Sequence, residues 1–225
     1  MKNLDSQNMS NVSGKRHHTI ISGTGRAGTT FLIQLLTELG LDTGFKDITS
    51  NVFKNCNAGM EQDIRGKYAP YIVKSPWLCD HIEEILESEK CVIDIAYITI
   101  RDLYSASASR AYVTSNTDAT EYEGFKNIPG GLWPTEYPSR QDHVLSSKLY
   151  KLIYSLVKHD VSIVFLMFPV FIYNPSYLYK KMKLLLEQVS YDQFLVSFKK
   201  TVKPELVHEF EGDLEKPALK SKLFT

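Results

Sequence analysis

Arg26, Thr29 and Thr30 lie inside a run, residues 20–32, that reads I-I-S-G-T-G-R-A-G-T-T-F-L. Apolar residues, then glycines, then two threonines give a strand, a tight turn and a helix start. Such a turn exposes backbone N–H groups where the helix dipole also favours negative charge, so it suits a phosphate. The nucleotide triphosphatase loop is G-x-x-x-x-G-K-[ST]; Gly23, Gly28 and Thr30 fit it, but Thr29 stands in the lysine position. The cation comes earlier, at Arg26, whose guanidinium can fold over an anion held by the loop amides. The spacing therefore predicts a phosphate loop that is not built around the β- and γ-phosphates of ATP. Thr29 and Thr30 can offer hydroxyls and amides to an anion while also capping the helix.

Two more cations stand at predicted strand ends. Lys74 closes Y-I-V-K (71–74), and Arg101 closes I-D-I-A-Y-I-T-I-R (93–101). The helix predicted over 103–114 carries Ser105 and Ser109 one turn apart, among small residues that let another element approach closely.

Positioning these groups requires alternating strands and helices. The pattern predicts strands over 18–22, 71–74, 93–101 and 161–168, the last so continuously apolar that it suits a central parallel strand. Helices are predicted over 28–39, 80–89, 103–114, 141–159, 175–188 and 191–202, with 40–65 irregular and 115–140 a long Gly-, Pro- and aromatic-rich loop. This is an α/β chain: one P-loop-type domain over 17–210, with a parallel sheet of about four to five strands flanked by helices. Residues 1–16 read as a polar, disordered leader and 211–225 as a charged tail. Ligands of such sheets bind beyond the carboxyl ends of the strands, where Arg26, Lys74 and Arg101 converge.

Composition sets limits on partners. The 225 residues carry 26 Lys plus Arg against 26 Asp plus Glu, so no global field steers the chain to nucleic acid, and any anion site is local. Three cysteines without C-x-x-C spacing suggest reduced thiols. The longest apolar run, 161–170, is too short to span a bilayer, and the N-terminus lacks the apolar core of a signal peptide. A soluble, cytoplasmic protein is expected.

R-A-G-T-T-F (26–31) resembles the [KR]-[SA]-G-T-T-[WFL] loop of sulfotransferases, which binds the 5′-phosphosulfate of 3′-phosphoadenosine 5′-phosphosulfate (PAPS). Arg101, followed by Ser109 eight residues later, is similar to the family's second motif, which grips the 3′-phosphate. V-K-S-P-W-L (73–78) resembles a segment between those motifs in bacterial-type members. The resemblance covers residues 18–115, with weaker support towards residue 190.

It implies transfer of a sulfuryl group from PAPS to a hydroxyl or amine of a small-molecule, sugar or peptide acceptor, releasing PAP. Gly25, Arg26, Ala27, Gly28, Thr29 and Thr30 would hold the 5′-phosphate, and Arg101 with Ser109 the 3′-phosphate. Phe31 would stack on adenine or serve the core. Arg26 would stabilise the leaving oxygen and Lys74 would contact the sulfuryl group. The base is not carried over from the cytosolic small-molecule enzymes, because Pro76 stands where they have a histidine. By ungapped likeness to protein-tyrosine sulfotransferases Asp47 is the first choice, with Glu61 and Asp63 as alternatives. His81 and His143 read as structural or surface residues. The family's C-terminal R-K-G-x-x-G is absent, which leaves a third contact to the 3′-phosphate unassigned. Tyr122, Phe125, Trp133 and Tyr137 either form an aromatic lid over the acceptor or anchor the long loop. Two rival classes stay open: a P-loop small-molecule kinase and a non-catalytic nucleotide-binding relative.

Overall fold

Ile20 and Ile21 are adjacent, fully buried, and belong to two different cores. Successive side chains of a strand point to opposite faces, so a strand apolar at both positions must be covered on both sides. That strand, β1 (Arg16–Gly23), is central: it pairs in parallel with β4 (Ile72–Lys74) on one side and β5 (Cys91–Ile100) on the other. β6 (Ile163–Met167) adds in parallel to β5, giving the order β4-β1-β5-β6. The computed structural model describes residues 14–53, 56–118, 128–135 and 138–208, and these form an α/β fold with a four-stranded parallel sheet flanked by helices. The expected leader and tail lie largely or wholly outside the described residues.

Helices cover both faces. α1 (Thr29–Glu38) packs with α7 (Tyr191–Thr201), and Leu32, Leu36, Phe171, Leu178 and Phe194 join Ile21 and Tyr97 in the core on that side. α2 (Leu78–Glu87), α3 (Leu103–Asn116) and α4 (Gln141–Lys158) cover the other, where Ile82, Ala106, Leu152 and Leu156 meet Ile20, Ala96 and Ile98. The chain leaves β1 towards β4 but leaves β5 towards β6, so the strand order reverses between β1 and β5. Loops that diverge at such a switch point open a crevice at the carboxyl edge of the sheet.

Three local expectations differ. The segment expected to be irregular contains a short antiparallel pair, β2 (Val52–Phe53) and β3 (Ala58–Gly59). Strands this short show no periodicity, but Gly59 allows the approach: a Cβ there would meet the Asn51 carbonyl at 2.1 Å. β6 stands at the edge of the described sheet, not its centre, and Phe165 and Met167 are 42% and 48% exposed. Its apolar run reflected composition rather than cover on both faces. The helix expected over 175–188 is α6 (Pro175–Lys181), after a short α5 (Val170–Tyr173), and 182–188 continue as turns with Leu185 N–H donating to the Met182 carbonyl. Among the described residues, no helix is long and apolar enough to cross a membrane.

Candidate functional site

Gly28 carries φ 76° at the N-cap of α1, a conformation that a Cβ would strain, and its Cβ would also press into Phe171 at 2.8 Å. The cap supplies no side-chain hydrogen bond to the first turn. By contrast, the Asp102 carboxylate caps α3 by accepting from the Ser105 amide, and Ser190 and Gln193 close a capping box on α7. The first amides of α1 thus face the cleft together with the Thr29 and Thr30 side chains.

Arg26 holds φ 52°, in the left-handed region that non-glycine residues rarely adopt. Its Nε donates to Ser109 Oγ at 3.2 Å and its Nη1 to the Cys56 carbonyl at 2.6 Å. Arg101 donates from Nη1 to the Arg26 carbonyl at 2.9 Å and from Nη2 to the His208 carbonyl at 2.7 Å, with its guanidinium 4.9 Å from the Phe168 ring centre. The two sequence motifs are therefore directly hydrogen-bonded to each other. Burial, and the neighbouring Arg101, pull the Arg26 guanidinium below its usual range.

Lys74 is only 2% exposed. Its ammonium donates to Glu61 Oε1 at 2.8 Å, to Thr30 Oγ1 at 3.0 Å and to the Gly59 carbonyl. Burial lowers its pKa, and Glu61 opposes that shift. β4 delivers the lysine and the β2–β3 pair delivers the carboxylate. Glu61 is the one carboxylate that lines this part of the cleft among the described residues.

The structure gathers Gly25, Arg26, Gly28, Thr29, Thr30, Phe31, Glu61, Lys74, Arg101 and Ser109 along one cleft. Ala27 is fully buried beneath the loop. Phe31 serves the core, stacking on Phe171 with ring centres 6.2 Å apart, and it also lines the cleft. Asp47, the first-choice base, is not brought there. It is exposed, and its carboxylate accepts from the Thr49 amide at 2.8 Å and hydroxyl at 2.6 Å, bonds that hold its pKa down. Ungapped counting cannot follow a chain that turns back through β2 and β3. Asp63 is likewise turned outward, against Arg65. We expect Asp47→Asn to change both activity and melting temperature little, as for other exposed sites; a 100-fold activity loss in steady-state assays would return Asp47 to the site. His81 and His143 lie on the surface.

Sequence reading missed Arg110, buried one residue beyond Ser109, and the segment after α7, where Lys203 and His208 line the cleft beside Arg101. Arg110 is a cation next to a motif residue in the sequence, whereas Lys203 and His208 are far from both motifs and only the fold brings their segment to the cleft. Trp133 is buried in the wall, not poised over the mouth. Tyr122, Phe125 and Tyr137 lie outside the described residues. No family model matches the chain, and no curated protein or solved structure is significantly similar to it.

Proposed function

We propose that the protein is a sulfotransferase, moving a sulfuryl group from PAPS to a hydroxyl or amine of a small-molecule, sugar or peptide acceptor and releasing PAP. The observation that carries this reading is the cleft's charge. Arg26, Lys74 and Arg101 line the cleft with the open N-terminus of α1, and Glu61 is the one carboxylate among the described lining. An excess of cations over carboxylates in the described lining of a cleft favours an anionic occupant. The absence of a lysine at position 29 turns the choice from a nucleoside triphosphate towards a nucleotide phosphosulfate.

The residues present fit such a donor. The α1 amides, Thr29 and Thr30 would hold the 5′-phosphate, and Arg101 and Ser109 the 3′-phosphate, with Lys203 close enough to the same region to add charge. When bound, PAPS supplies an activated sulfuryl group whose phosphate is the leaving group. Arg26 would place fixed positive charge beside the leaving oxygen, which would favour the transition state over the ground state. Lys74, whose ammonium is held by Glu61, Thr30 and Gly59, would add positive charge beside the sulfuryl oxygens. Glu61 would take the acceptor proton as the new S–O or S–N bond forms, replacing Asp47 in that role because it alone of the two reaches the cleft.

Calorimetry with PAP, followed by turnover with labelled PAPS over an acceptor panel, tests the proposal. Tight magnesium-dependent ATP binding without PAP binding would make the protein a P-loop kinase instead. PAP binding with no transfer to any acceptor would make it a non-catalytic relative. For the 3′-phosphate assignment, Arg101→Ala should weaken PAP about 10- to 100-fold, as expected for charge-assisted hydrogen bonds. Adenosine 5′-phosphosulfate, which lacks that phosphate, should change little; equal weakening of the two ligands would remove the assignment.

A further inference from the structure

We propose that Arg110 is a positioning residue that ties the phosphate loop to the cleft wall at residues 129–133, so that filling the loop with an anion and fixing that wall become one event. The inference rests on reading the cleft as the site of an anionic donor.

Arg110 is 2% exposed. Its Nη2 donates to the Thr24 carbonyl at 2.7 Å, inside the phosphate loop, and its Nη1 to the Gly131 carbonyl at 2.5 Å, inside the wall. The guanidinium carbon lies 4.3 Å from the centre of the Trp133 ring, while Nε is buried with no hydrogen-bond partner. Among the described residues, no carboxylate pairs with the guanidinium. Burial first, then Arg26, push its pKa down to about 9, so it remains protonated at neutral pH. A buried guanidinium held by two carbonyls and an indole face, one carbonyl from each of two segments, is a clasp between them.

Both segments are shaped to admit the cations. A Cβ on Gly25 would stand 2.3 Å from Arg110 Nη2, and one on Gly130 would stand 3.0 Å from Arg26 Nη1. Beyond the clasp the wall is anchored to the helices. The Leu132 amide donates to Thr114 Oγ1 at 2.9 Å, and the Trp133 amide and carbonyl bond the Gln141 side chain at 3.0 and 2.7 Å. Arg110 is thus the wall's link to the loop, whereas Thr114 and Gln141 link it to α3 and α4. An anion beside Arg26 screens the repulsion between Arg26 and Arg110. That screening strengthens the clasp, and the wall stiffens although the anion need not touch Arg110. The long loop is then, in its described part, a donor-coupled wall rather than a free lid.

Amide hydrogen exchange of 128–133 on the full chain tests this, with PAP and inorganic pyrophosphate as separate probes and calorimetry giving their affinities. In the wild type, a saturating probe should slow exchange of these amides about fivefold, equivalent to ~1 kcal/mol of added local stability. Arg110→Lys keeps the charge but loses the two-carbonyl fork. It should abolish the wall's protection while leaving probe affinity within about threefold. Should Arg110→Lys melt below the assay temperature, Trp133→Leu loosens the clasp from the wall side alone; protection of 128–133 is then lost and that of 24–28 persists.

Protection by pyrophosphate but not PAP would uphold the clasp and remove the PAPS reading. Protection that survives both substitutions would overturn the proposal. So would binding without any slowing in the wild type, or a loss of affinity above about 30-fold in Arg110→Lys, which would make Arg110 a direct ligand contact. Failure of both probes to bind would remove the proposal together with the reading it rests on.

Discussion

Arg26→Ala should lower sulfuryl transfer about 100- to 1,000-fold, the scale seen when one preorganised charge-stabilising group is removed from a transition state. The loss should fall on kcat, because charge on the leaving oxygen develops only as the S–O bond breaks. PAP binding should weaken far less, since the α1 amides, Arg101 and Ser109 remain. Arg26→Lys should recover only a small part of the rate. A lysine can restore positive charge but not the fork that reaches Ser109 Oγ and the Cys56 carbonyl together. Stability should shift modestly in either direction: two hydrogen bonds go, and so does the repulsion from Arg101 and Arg110. Steady-state kinetics with labelled PAPS, alongside a thermal melt, separates these effects. A variant with unchanged kcat would take Arg26 out of the chemistry.

Lys74→Met should produce the largest loss of stability. Removing one partner of a buried ion pair leaves the other charge uncompensated, which costs about 3–5 kcal/mol. Here the stranded groups are Glu61, the Gly59 carbonyl and the Thr30 hydroxyl. For a chain of this size the drop in melting temperature should be roughly 6–20 °C. The double variant Lys74→Met with Glu61→Gln should regain much of that loss, with a coupling of about 1–3 kcal/mol in a double-mutant cycle. Strict additivity would show that the pair contributes nothing as a pair. The activity readings diverge from the stability readings: the double variant should fold well and transfer nothing, because it lacks both groups proposed for the sulfuryl contact and the base.

The two residues of that pair illustrate where the sequence stops. The phosphate loop was legible because its chemistry is local: glycines for the turn, threonines for the first helical turn, and Arg26 between them. Arg101 and Ser109 stood out through their resemblance to a family motif, since their residue types alone suited close packing equally well. The alternation of strands and helices fixed the α/β class and brought Lys74 to the same edge as the loop. Glu61 could not be chosen over Asp47, because the choice depends on the β2–β3 pair, whose two-residue strands carry no periodic signal. The apolar run of β6 suggested a central strand, yet burial depends on which neighbours arrive, and on one side of β6 none does among the described strands.

Sequence by itself determined the fold class and a cationic glycine-rich turn at the carboxyl edge of a parallel sheet, because both follow from short-range patterns of side-chain period and backbone freedom. Only the tertiary structure decided which acid faces the cations, that the two motifs bond to each other through Arg26, and that Arg110 and Trp133 close the cleft from the side. Those facts depend on how segments far apart in the chain turn towards one another, and that is set by the packing of two cores against one sheet.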